Sequence, residues 1–153
     1  MFDDYELYQG VVLRQLVVAA SMPLSIEPFD YEGRINCFVL NGRVGIFLKH
    51  SSKRMTPWQF TFQQPHVKEL RQLMKARNTS FAVFVCGLDG AVCLEASALF
   101  GIIDVRKSES AWIRIERRPR KMYGISGNAG DLSGKVARGL DVIIDALQLR
   151  AKS

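Results

Sequence analysis

Arg34-Ile35-Asn36-Cys37-Phe38-Val39-Leu40-Asn41-Gly42-Arg43-Val44-Gly45-Ile46-Phe47-Leu48-Lys49-His50 carries the firmest structural signal in the chain. Two apolar runs flank Asn41-Gly42. Asn-Gly between such runs marks a β-hairpin, because both turn positions favour positive φ. Strands are therefore expected over residues 34–40 and 43–50. Before them, Pro23 and Pro28 read as a loop or a short extended piece. Earlier still, Tyr5, Tyr8, Val12, Leu16 and Ala19 recur at spacings of three and four, one face of a helix over 4–20. Asp3 and Asp4 suit its positive N-terminal end.

Beyond the hairpin, Trp58-Gln59-Phe60-Thr61-Phe62 alternates with period two and reads as a strand. Pro65 opens a helix whose apolar stripe is Val67, Leu70, Leu73 and Met74. The continuous apolar run over 81–86 predicts a strand buried on both faces. Leu88-Asp89-Gly90 turns it into a partner over 91–94, followed by a short helix over 95–103. Strands are expected at 112–117 and 122–125. Ser133 is expected to cap a last helix with the stripe Val136, Leu140, Ile143, Ile144 and Leu147. The order α-β-β-β-α-β-β-α-β-α predicts one α/β or α+β domain over 1–153, a mixed central sheet flanked by helices.

Composition limits the class of protein. With 153 residues, 48% of them hydrophobic and 24% charged, the chain can bury a core and is not disordered. No apolar run approaches the roughly 20 residues of a membrane span, and the acidic start is unlike a signal peptide. A cytoplasmic protein with no membrane partner is expected. Cys37, Cys86 and Cys93 are an odd number, and His50 and His66 are the only histidines. No zinc ligand set can be assembled from them, so buried reduced thiols are expected. Cys86 and Cys93 fall across one predicted hairpin, where they would face each other. Charge is uneven: residues 1–32 carry six acids and one base, the rest twenty bases and nine acids. That asymmetry points to a polyanion or an acidic protein surface as partner.

One arrangement bears on chemistry. Pro28-Phe29-Asp30 precedes the hairpin, and Phe47-Leu48-Lys49 closes its second strand. With a helix before and a strand, a helix and a strand after, this resembles the PD-(D/E)XK (restriction-endonuclease-like) nuclease superfamily. The resemblance implies a core of helix, three-stranded meander, helix and strand. It also implies a magnesium ion held by two acids, with a lysine that positions or activates the attacking water. Asp30 takes the first acid position, as metal ligand and catalytic residue, and Lys49 takes the lysine. Glu6 is the candidate acid on the first helix. Phe47 stands at the second acid position, which removes a ligand outright. A divalent-metal nuclease would then need a displaced group, Glu32 or Gln63.

Two basic stretches suit phosphate. In Lys49-His50-Ser51-Ser52-Lys53-Arg54-Met55-Thr56-Pro57-Trp58, the candidate contacts are Lys49, Lys53 and Arg54, with Trp58 as a stacking group. In the second, Arg114, Arg117, Arg118, Arg120 and Lys121 are followed by Tyr123, another candidate for stacking. Cations so crowded are costly to gather without an anion or neighbouring acids. The segment Ala129-Gly130-Asp131-Leu132-Ser133-Gly134-Lys135-Val136 fails as a P-loop, since glycine is required at Ala129 and Ser or Thr at Val136. The favoured expectation is a domain that binds DNA or RNA, with a nuclease-like core and an incomplete metal site. The alternatives are a magnesium-dependent nuclease with a migrated acid, and an interaction subunit docking an acidic protein. A homodimer is compatible with all three.

Overall fold

The computed structural model describes residues 1–106 and 110–151, without the side chains of 150 and 151. Helix α1 (Asp4–Ala19) leads into β1 (Ile26–Tyr31), β2 (Arg34–Leu40) and β3 (Val44–Ser51). Strand β4 (Trp58–Gln63), helix α2 (Gln64–Ala76), β5 (Thr79–Cys86), β6 (Gly90–Glu95) and α3 (Ala96–Phe100) follow. The chain closes with β7 (Ser110–Glu116), β8 (Gly124–Gly127), β9 (Gly130–Asp131) and α4 (Asp141–Ala151). One sheet has the order β1-β2-β3-β5-β6, and a second has the order β4-β7-β8-β9.

The five-stranded sheet is mixed. Its β3 and β5 run parallel, from Val44 opposite Thr79 to Ser51 opposite Cys86, while the other pairs are antiparallel. Parallel neighbours need a crossover, supplied here by β4 and α2. On one face, Val12 and Leu16 of α1 and Ile143 and Leu147 of α4 pack on Ile46, Leu48 and Val83. On the other, Leu70 and Leu73 of α2 and the inward residues Phe60, Phe62 and Ile113 of the second sheet pack on Phe47 and Phe84. Burial of both faces explains the unbroken apolar run of β5. The expected mixed sheet flanked by helices is therefore present. The order helix, three-stranded meander, helix, strand is present with β4 interposed before the second helix (α1, β1-β2-β3, β4, α2, β5).

Several expectations are corrected. Of the two alternatives for the segment around Pro28, the loop is the one set aside: residues 26–31 are extended, as edge strand β1 paired only with β2, where one missing N–H is tolerated. The meander is β1-β2-β3; β4 leaves it to pair with β7. The last helix begins at Asp141, not beside Ser133. Val136 forms a bridge with Tyr123 instead, and Gly139 sits at φ 115°, outside helical space. Cys86 pairs with Gly90 and Cys93 with Val83, so the two thiols lie in opposite cores rather than facing each other. All three cysteines are free and buried, as expected. Among the described residues, no helix is long and apolar enough to cross a membrane.

Candidate functional site

The parallel strands β3 and β5 end side by side, with the Gly87 N–H donating to the Ser51 carbonyl at 2.8 Å. The segment after β3 folds back over this junction. Its Lys53 carbonyl accepts from the Trp58 indole at 2.8 Å. A Cβ at Gly87 would stand 2.2 Å from that carbonyl oxygen, and φ there is +55°, so only glycine fits. Thr56 then reaches the second basic stretch, its Oγ1 accepting from the Arg117 N–H at 3.0 Å. The two basic stretches, 61 positions apart at this contact, thus meet at one end of the molecule.

Past Arg117 the chain makes a tight turn, closed by the Lys121 N–H on the Arg118 carbonyl at 3.0 Å. Arg120 occupies the left-handed region at φ 63°, uncommon for a residue with a Cβ. Lys53, Arg54, Arg118, Arg120 and Lys121 are all exposed. Thr56, Arg117, Arg118, Arg120, Lys121 and Lys135 line a trough of about 610 Å³, with Glu116 and Met122. Lys135 lies across Gly124, its Nζ 2.7 Å from where a Cβ would be. The sequence reading missed Lys135, having weighed its segment as a P-loop and as the start of the last helix.

Asp89, in the β5–β6 turn, holds this end together. Its carboxylate accepts from Arg117 Nε at 2.8 Å and Nη2 at 2.6 Å, and from the Tyr123 hydroxyl. The Arg117 guanidinium also lies 5.4 Å from the Tyr123 ring centroid. Those donors, Arg117 foremost, keep the Asp89 carboxyl below the usual carboxylate range. Arg117 is thus committed to an internal partner.

The stacking assignments fail. Trp58 is 2% exposed and Tyr123 fully buried, because each ring belongs to the core between the sheets. Arg114 is separate too: it projects from β7 beside exposed Trp112 and pairs with Glu116 at 2.8 Å.

The nuclease-like positions are not assembled as the resemblance implies. Asp30 lies on β1, two strands and about 10 Å of sheet from β3. Its carboxylate accepts the Gly33 N–H at 2.9 Å, closing the β1–β2 turn. Glu32 is exposed in that turn at φ 53°. The residue opposite Phe47 is Cys37, and Phe47 itself is 1% exposed and stacks on Phe62. Glu6 is exposed on α1, and Gln63 caps α2.

Lys49 is half-buried, its Nζ 5.0 Å from the Phe62 ring centroid. Burial lowers its pKa to about 8, against the attraction of Glu69. Glu69 of α2 is fully buried and accepts from Asn36 Nδ2 at 3.0 Å and Asn36 N at 3.3 Å. Burial and the Glu69 carboxylate push the Cys37 thiol up. The cleft beside Lys49, lined by Tyr5, Asn36, His50 and His66 among others, measures about 40 Å³, room for little more than one water. Sequence reasoning passed over Glu69, although an acid at the helical phase of Leu70 and Leu73 is the signal that finds it.

Magnesium does not fit this set. It wants carboxylates open to water and phosphate. Here one acid closes a turn, one position is a buried phenyl ring, and Glu69 is occupied by Asn36. Among the described residues no group of three His, Cys, Asp or Glu is placed to hold an ion.

No family model matches the chain, and no curated protein sequence matches it. A solved structure with some likeness is that of Hjc, a Holliday junction resolvase from the archaeal hyperthermophile Archaeoglobus fulgidus. It is 9% identical, covers 71% of this chain and 87% of its own, and superposes with a TM-score of 0.42. So slight a likeness carries no conclusion about what this chain does.

Proposed function

We propose that this protein binds nucleic acid, DNA or RNA, by gripping phosphates at the basic end, with no cleavage step assigned. The observation that carries this reading is the Thr56–Arg117 contact, which joins the segment bearing exposed Lys53 and Arg54 to the one bearing exposed Arg118, Arg120 and Lys121. Lys135 completes the trough. The acids at hand are spent, Asp89 on Arg117 and Glu116 on Arg114. Exposed cations without local compensation favour a polyanion, and contact through phosphates gives little sequence preference. Trp58 and Tyr123 contribute scaffold rather than stacking.

Binding of labelled single- and double-stranded DNA and RNA across a salt series tests this. The double variant Arg118→Ala/Arg120→Ala is expected to weaken binding uniformly across sequences and to reduce the salt slope by about two. Lys68→Ala, on α2 and outside the trough, leaves both unchanged. Failure of the wild type to bind at low salt overturns the reading and redirects the basic end to an acidic protein partner.

A further inference from the structure

Helix α1 is apolar on two sides, and the fold covers one. Val12 and Leu16 are fully buried. On the opposite side Leu7, Val11, Val17 and Val18 are 55%, 46%, 56% and 67% exposed. A helix apolar all round is ordinarily buried all round. Gly10 lies among these residues, and nothing stands within 4 Å of the place its Cβ would take. Glycine weakens a helix interior relative to alanine, and no contact within the chain needs the space. A neighbouring backbone approaching the helix would.

The charges on this face say which neighbour. Glu6 stands four residues before Gly10 and Arg14 four after it, both exposed. Among the described residues neither makes an ion pair within the chain. A two-fold contact has to be self-complementary. An acid and a base equidistant from a central glycine meet that requirement when two helices cross antiparallel at the glycine. We propose that this face of α1 joins two copies of the chain, crossing at Gly10, so that Glu6 of each copy pairs with Arg14 of the other. An unrelated apolar partner would not require that matched spacing.

Sedimentation equilibrium of the full chain tests this. The wild type is expected to be dimeric. Glu6→Arg and Arg14→Glu are each expected to weaken association by about tenfold or more, since like charges then face each other twice. The double variant Glu6→Arg/Arg14→Glu restores the wild-type constant. Gly10→Leu also weakens the dimer, and circular dichroism of each variant confirms that α1 still forms. A monomeric wild type overturns the proposal, leaving the face to a different partner. A dimer indifferent to these changes, or a double variant no better than the single ones, overturns it equally.

Discussion

Asp89 receives two bonds from Arg117 and one from the Tyr123 hydroxyl, and the Asp89–Arg117 pair is neither fully buried nor free in water, at 21% and 16% side-chain exposure. Its value should therefore fall between that of a surface pair and a buried one. Asp89→Asn keeps the shape and removes the charge, leaving the guanidinium without a counterion. A loss of about 2 kcal/mol in unfolding free energy is expected at pH 7, read from the downward shift of the urea midpoint. An unchanged midpoint would show that Asp89 does not organise this end. The sequence displays Asp89 as a turn residue and Arg117 as one cation among several. Nothing local tells which cation an acid 28 positions away will take. Trp58 was more legible than its reading: it shares the period-two phase of Phe60 and Phe62, which is the phase of the core.

Helix α2 begins with a reciprocal cap, in which the Gln63 side chain accepts from the His66 N–H and His66 Nδ1 accepts the Gln63 N–H at 3.1 Å. The accepting nitrogen must be unprotonated, and burial, aided by repulsion from Lys49 and Arg34, lowers the His66 pKa to about 4. An unfolded histidine titrates near 6.5, so between those values the unfolded chain binds the extra proton. Stability therefore falls as pH drops from about 6.5 to about 4. His66→Gln keeps a capping side chain without titrating. It should remove roughly 1 kcal/mol of that acid loss, less than the whole shift because water screens the half-buried ring. Thermal unfolding of both proteins from pH 7 to pH 4.5 measures it, and parallel pH profiles would exclude His66 as the source. Elements whose signals are local were legible: the Asn41-Gly42 hairpin, the capped α1, the apolar stripe of α2. Strand β1 was legible only as one of two alternatives, because Pro28 is permitted only by its edge position, which is a property of the sheet.

At the scale of the molecule, the basic end exists because distant segments converge. Strand β4 pairs with β7, 47 to 57 positions on, and β3 with β5 across a helix. No sequence period reports such pairings, which is why the sequence supplied most of the cations but not their shared location. The convergence has an electrostatic cost, since Arg118, Arg120, Lys121 and Lys135 surround one trough and repel one another. A polyanion that enters the folded trough and finds no such cluster in the unfolded chain must stabilise the fold. Tripolyphosphate at ten times its dissociation constant should add about 1.4 kcal/mol, raising Tm by about 3–6 °C. Chloride at equal ionic strength only screens the repulsion and should fall well short of that rise. In Arg118→Ala/Arg120→Ala the rise with tripolyphosphate should largely vanish while the starting Tm holds or increases, because two repelling charges are gone. An undiminished rise in that variant would place the anion elsewhere on the surface, and a lowered starting Tm would mean that these arginines hold the fold rather than a ligand.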